Sequence, residues 1–278
     1  MRKEIYMSVV SVAGGVSRRR ILPWALITAA LAVGVATVPP LVAEWASGGR
    51  LAIAGLQGQV SAGFELWVTS GAAGPGAGLS DAVSFWSVFH IAKAVLAVGL
   101  LAALIVAGCR IWSRTARSRS GARRALWALA GVAGAWMPVA VLLVVIANVQ
   151  GAIAPLTSVL TFLPGDTTPA IEQVRSDLAS GVYSPATTAL LDDFRTYHVA
   201  LVVSLLVVMV GLVATTVMLW MLRARQSRDD RRMRNILAAA GIAVPLLLPL
   251  FGLLFLANLS TVADTAPALA AFFDGSGI

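Results

Sequence analysis

The chain has only two histidines, His90 and His198, and they occur in similar surroundings. The stretches 89–92 and 197–200 both read aromatic residue, histidine, β-branched residue, alanine. In each case an asparagine, Asn148 or Asn258, ends the apolar run that follows. Imidazole and amide groups are both capable of binding a ligand. We therefore expect the two histidines and the two asparagines to share one polar layer.

Charged side chains flank both histidines. Lys93 follows His90 by about one helical turn and so lies on the same face. An ionisable residue inside an apolar run is a functional hypothesis by default, and the alternative is a lysine whose long stem reaches back to the surface. Asp192, Asp193 and Arg195 come just before His198 and could close the site from above. The candidate site would then offer imidazole, ammonium, amide and carboxylate groups at an outer interface.

The histidines suggest one cofactor, because His90 and His198 could supply both axial ligands of a haem b. Other chemistry has less support. There is one cysteine, Cys109, and no H-E-x-x-H motif or phosphate-binding loop. No nucleophile has a base at a usable spacing. The sequence favours a protein that is not an enzyme and needs no cofactor, with haem b as the alternative.

Long apolar runs must position these side chains. The 278 residues are 58% hydrophobic and only 12% charged, and runs of about 20 apolar residues are typical of membrane-spanning helices. The sequence predicts an all-α, polytopic transmembrane helix bundle with about five spans. Span 1 (21–43) is interpreted as a signal anchor, although Ser17–Leu22 resembles a twin-arginine export signal. The remaining spans are expected near 85–111, 125–149, 197–222 and 236–259.

The net charge of +8 comes mainly from arginines beside the apolar runs. They concentrate in the tail 1–20 and in the loops 112–124 and 223–235, and such an excess marks cytoplasmic segments. We expect a protein of the cytoplasmic membrane with its N-terminus inside and its tail 260–278 outside. The basic loops would contact anionic lipid rather than nucleic acid. The composition, rich in Ala, Val, Leu and Arg, is typical of a high-GC bacterium.

Two parts of the chain look like copies of one helical hairpin, namely 85–149 (spans 2 and 3) and 197–259 (spans 4 and 5). Trp112 and Trp220 follow the two histidines at the same distance. Rare residues carry this comparison, because apolar helices match one another by chance. Both copies would run in the same direction, so the sequence predicts a parallel repeat about an axis along the membrane normal.

The connections 44–84 and 150–196 are expected to be outer loops. Gly71–Gly78 has little helix-forming power and predicts a flexible stretch. The second loop contains four prolines, and a short helix is predicted near Ile171–Ala179.

These features favour a non-enzymatic integral membrane protein, a scaffold or subunit of a membrane or cell-surface assembly. Its partners would be another membrane protein or a second copy of the chain. Two alternatives remain open: a haem b electron carrier using His90 and His198, and a transporter or permease subunit. The transporter needs a polar path through the bilayer, whereas the inner halves of the spans are almost wholly apolar.

Overall fold

A computed structural model describes residues 21–118, 120–165 and 167–275. These residues are helical apart from short connections, and no strand occurs among them. The all-α prediction is therefore confirmed for the described chain. The predicted cytoplasmic tail 1–20, with most of the twin-arginine segment, lies outside the described residues.

Five helical segments are long and apolar enough to cross a membrane, as the sequence predicted. Helix α1 is Ile21–Ala46, α3 is Ala77–Arg117 and α8 is Pro185–Arg225. Each of the other two segments consists of two helices: α4 Gly121–Gly134 with α5 Trp136–Ile153, and α9 Arg231–Ala243 with α10 Leu248–Ala263. Large apolar side chains such as Leu26, Val95 and Val207 are exposed along these segments.

Prolines explain the two interruptions. Proline has no N–H to donate to the carbonyl four residues earlier, so a helix can bend or break there, although α1 continues through Pro39 and Pro40. Pro138 follows the break between α4 and α5, and Pro245 lies in the 3-10 turn Val244–Leu247 between α9 and α10.

The five segments pack in a row. Helix α1 lies on α3, α3 on α5, α5 on α8, and α8 on α10. A small cluster around Ala97, Leu100 and Val141 joins α3 to α5. A second cluster of Ile146, Leu205 and Phe251 joins α5 to α8 and α10. Contact between the two predicted hairpins therefore runs mainly through α5 and α8.

The largest hydrophobic core lies at the end of the bundle where α3 and α8 begin, in a part that we call the helical cap. The cap consists of α2 (Ile53–Ser70), α6 (Pro155–Val159), α7 (Pro169–Ser180) and α11 (Thr265–Phe273), together with the first turns of α3 and α8. Its buried side chains include Leu56, Phe64, Trp67, Leu79, Leu190 and Leu269.

The cap occupies segments that we expected to be loops. The predicted helix near Ile171–Ala179 is present as α7. Helix α2, however, was not expected in the connection 44–84. Its core-facing residues Leu56, Val60, Phe64 and Trp67 recur every three or four positions, and packing rather than intrinsic propensity stabilises it. Gly71 ends the helix in a left-handed conformation (φ 69°), so the predicted break does begin there.

Helices α3 and α8 connect the cap to the rest of the bundle. Each contains 41 residues, which corresponds to about 60 Å and is twice the roughly 30 Å of a bilayer core. They begin earlier than the predicted spans because their first turns bury apolar residues in the cap, among them Ala82 and Leu190. The histidines lie where these helices leave the cap.

Candidate functional site

His90 is held between two hydrogen-bond partners. Its Nδ1 lies 2.8 Å from the Oδ1 of Asn148, and its Nε2 lies 2.9 Å from the Oγ of Ser158. The Nδ2 of Asn148 donates to the carbonyl of Val144 at 2.7 Å, which leaves Oδ1 as the acceptor for an Nδ1–H of His90. The Nε2 then accepts from the Ser158 hydroxyl. A neutral imidazole satisfies all of these bonds.

Trp86 completes this network. Its indole N–H donates to the Oγ of Ser158 at 2.9 Å, so the hydroxyl both accepts and donates. The Trp86 ring stacks on Phe89 with centroids 4.5 Å apart and meets His90 edge-on at 4.8 Å. Neither Trp86 nor Ser158 was predicted to belong to the site. The chain from indole to hydroxyl to imidazole to amide ties α3 to both α5 and α6.

His198 forms the corresponding pair in the second hairpin with fewer partners. Its Nδ1 lies 2.7 Å from the Oδ1 of Asn258, and the Nδ2 of Asn258 donates to the carbonyl of Leu254 at 2.7 Å. The Nε2 of His198 has no hydrogen-bond partner in the part of the chain that the structure describes. The predicted layer is thus two separate His–Asn pairs, one in each hairpin.

The opposite ends of the same hairpins have a matching contact between a tryptophan and a glycine. A Cβ added to Gly131 would lie 3.0 Å from the Trp112 ring, and one added to Gly241 would lie 3.0 Å from the Trp220 ring. Each glycine lets its helix approach the preceding one closely. The sequence singled out the two tryptophans but did not predict their contacts with these glycines.

Lys93 does not join either pair. Its ammonium lies 5.2 Å from the centroid of the Phe89 ring, a cation–π contact, and none of the ion pairs in the described ranges involves it. The lysine is half-buried, and its side chain lies on the same helical face as His90.

Of the three charged residues before His198, only Asp193 has a structural role. Its Oδ2 accepts a 2.6 Å hydrogen bond from the backbone N–H of Thr157 in the first turn of α6. Asp192 and Arg195 are exposed instead. Asp193 therefore fastens α8 to the segment that carries Ser158.

Two sets of polar contacts lie between the cap and the long helices: the network from Trp86 to Asn148 and the bond of Asp193. We call this region the joint. Its polar groups are mostly used in bonds to one another, and the described residues contain no group of three or more His, Cys, Asp or Glu side chains that could hold a metal ion. Comparison of the chain with models of protein families, with curated proteins and with solved structures gives no match.

Proposed function

We propose that this chain is a non-enzymatic, multi-pass protein of the bacterial cytoplasmic membrane that serves as a scaffold or subunit of a membrane or cell-surface assembly. In this proposal the N-terminus and the basic loops lie in the cytoplasm, and the helical cap and the C-terminal tail lie outside. The cap is the part that meets a partner. The single observation that carries the proposal is that the cap has its own hydrophobic core while the polar residues beneath it are used to hold it in place.

The internal bonds argue against catalysis at the joint. Both ring nitrogens of His90 have partners, and the carboxylate of Asp193 is bound to the N–H of Thr157. A serine hydroxyl bonded to a histidine is also found in activated nucleophiles, but a substrate must reach the hydroxyl, and Ser158 is buried. Groups bonded in this way instead fix the orientation of the helices that carry them, which is what a scaffold requires.

The charge distribution supports the proposed orientation. Arginines concentrate at the end of the bundle opposite the cap, after Arg110 in α3 and after Arg223 in α8. In the cap, the carboxylate of Glu65 accepts from the backbone N–H of Ala170, and Asp177 accepts from Ser184 and Thr187. Positively charged loops stay in the cytoplasm, so the cap end is the exported one.

The paired contacts support the proposed parallel repeat of 85–149 and 197–259. Each hairpin has a His–Asn bond near the cap and a Trp–Gly contact at the far end. Contacts between rare residue types at matching positions are harder to obtain by chance than matching apolar letters. Lys93 occurs in the first copy alone, and His90 of that copy bonds Ser158 in α6. The copies therefore have different tasks, with the first anchoring α6.

Crosslinking from the cap in native membranes tests the scaffold proposal. A photoreactive amino acid would replace Leu66 or Val182, which are 70% and 74% exposed on the cap. We expect discrete protein adducts at one or both positions. Val33, 62% exposed on α1, is the matched apolar control and should yield lipid adducts only. Absence of protein adducts at both cap positions, combined with solute transport by the purified protein alone, would overturn the proposal in favour of a transporter.

A labelling experiment tests the orientation separately. In a Cys109→Ala background, a cysteine at Val182 should react with a membrane-impermeant maleimide in intact cells. A cysteine at Ser227, in the basic loop, should react only after the membrane is permeabilised. The reverse pattern would invert the topology.

A haem b electron carrier is the second candidate, and one observation favours it. The Nε2 of His198 has no hydrogen-bond partner among the described residues while Nδ1 is held by Asn258, which is the usual arrangement of an iron-binding histidine. The corresponding nitrogen of His90 is bonded to Ser158. An axial pair would therefore require that bond to break, which is why the scaffold is preferred.

A further inference from the structure

The basic ends of the two hairpins meet at one point. The Nη1 of Arg232, in the first turn of α9, donates to the carbonyl of Ser118 at 3.3 Å, and Ser118 directly follows the last turn of α3. Helices α9 and α3 are also in contact. Arg234 closes the neighbouring helix end by donating to the carbonyls of Arg223 and Gln226 at the end of α8. Three helix ends thus converge, and each carries arginines.

Arg114, Arg223 and Arg232 have little anionic compensation within the described residues. The ion pairs found in the described ranges join Arg50 to Asp81 and Arg175 to Glu172 and Asp274, all at the cap end. None involves Arg114, Arg223 or Arg232. Two carboxylates, Asp229 and Asp230, precede α9, and neither is in an ion pair among the described residues. Asp230 accepts from the Met233 N–H and from the Gln226 side chain.

The guanidinium groups are also placed for an anion at an interface. Arg223 lies 5.2 Å from the centroid of the Trp220 ring, and its buried Nε has no hydrogen-bond partner among the described residues. Arg114 lies 5.3 Å from the centroid of the Trp127 ring. Tryptophan is typical of the membrane interface, and guanidinium binds phosphate by paired hydrogen bonds. Arg232 uses one N–H on Ser118, so four of its five donors remain available.

We propose that the junction between the end of α3 and the start of α9 binds the phosphate of an anionic phospholipid of the cytoplasmic leaflet, with Arg232 as the principal ligand and Arg223 as the second. The lipid would compensate the like charges that converge there and would hold the two hairpins together. Its acyl chains would lie along the exposed apolar faces of α3 and α9. The inference rests on the membrane orientation proposed above and adds a ligand that the scaffold role does not require.

Native mass spectrometry of the purified full-length protein tests this site. The measured quantities are the apparent dissociation constants of phosphatidylglycerol and phosphatidylcholine. We expect the wild type to prefer phosphatidylglycerol, and we expect Arg232→Gln and Arg223→Gln each to weaken that lipid by about fivefold, since one interfacial arginine contributes roughly 1 kcal/mol. Arg225→Gln is the matched control, because it removes the same charge from an exposed residue at the same end.

Three outcomes would overturn the proposal. Equal weakening by Arg232→Gln and Arg225→Gln would mean a diffuse positive surface rather than a site. Equal affinity for the two lipids in the wild type would mean that no anion is selected. Complete displacement of the lipid by millimolar inorganic phosphate would mean a site for free phosphate.

A stability measurement guards against misfolded variants. Phosphatidylglycerol should raise the unfolding temperature of the wild type and of Arg225→Gln but not that of Arg232→Gln, while all three should unfold at similar temperatures in phosphatidylcholine. If the wild type does not bind phosphatidylglycerol, the proposed site is contradicted and the scaffold proposal stays intact. An inverted labelling pattern at Val182 and Ser227 would contradict the orientation instead.

Discussion

Gly151 lies directly against the imidazole of His90, so closely that a Cβ at position 151 would be 2.5 Å from Nε2. Gly151→Ala should therefore displace the ring and break its bond to Ser158. We expect the free energy of unfolding to fall by about 1–3 kcal/mol, the usual cost of overpacking. This loss should exceed the gain from alanine's better helix propensity. Thermal unfolding in detergent measures this change.

Gly252→Ala is the control for that experiment. Gly252 lies in α10, and a Cβ there would have no neighbour within 4 Å. The substitution should be neutral or stabilise the protein by up to about 1 kcal/mol, because alanine replaces glycine in a helix. Equal effects of the two substitutions would contradict the close contact between Gly151 and His90.

The two His–Asn pairs should differ in their contribution to stability. Asn148→Ala would leave the Nδ1 of His90 without its partner in a well-packed network, at a cost of about 1–3 kcal/mol. Asn258→Ala should cost less, because the His198 side has fewer bonds to lose. Unfolding of both variants, measured in one detergent, decides the order. A larger loss for Asn258→Ala would contradict the assignment of the first hairpin as the anchor.

Optical absorption tests the haem alternative. We expect no Soret band in protein purified from cells supplied with haem, before or after reduction with dithionite, since the Nε2 of His90 is bonded to Ser158. A b-type spectrum that is lost in both His90→Ala and His198→Ala would establish the haem carrier and would show that the Ser158 bond breaks when haem binds.

The cap should lose stability in acid through Asp177. Burial raises the pKa of this carboxyl, but hydrogen bonds from Ser184 and Thr187 outweigh burial and bring the pKa below its ordinary value of 3.8. A carboxyl with a lowered pKa stabilises the fold above its unfolded pKa and loses that contribution as the pH falls through the folded value. Unfolding temperatures should therefore drop below about pH 4.

Asp177→Asn should lower stability at pH 6 and reduce this acid dependence. The exposed Asp192, changed to Asn in a parallel variant, serves as the control and should leave the acid dependence unchanged. An acid transition that is identical in both variants would show that another group is responsible.

Sequence patterns predicted the long helices well, because a membrane span is encoded by composition over many residues. They also predicted that His90 and Asn148 would lie at the same end of the bundle. They could not show that each histidine bonds only the asparagine of its own hairpin. That choice depends on how α3 packs against α5, and apolar spacing alone does not determine it.

Two features were not predicted, the role of Ser158 and the presence of helix α2, because the local sequence indicates them only weakly. Ser158 is one serine in a proline-containing connection, and its role appears only when α6 folds against Trp86 and His90. Helix α2 contains several glycines and alanines and forms because Phe64 and Trp67 are buried by α3 and α7. Both depend on contacts between distant parts of the chain.

Helices α3 and α8 run unbroken from the arginine-rich end into the cap, each over 41 residues. They act as levers. A change in tilt of roughly 10° about the far end would carry the cap sideways by about 10 Å over a rod of about 60 Å. Helices respond to a thinner or thicker bilayer by changing tilt. In the proposed membrane orientation, the sideways position of the cap is therefore coupled to the thickness of the lipid around the bundle.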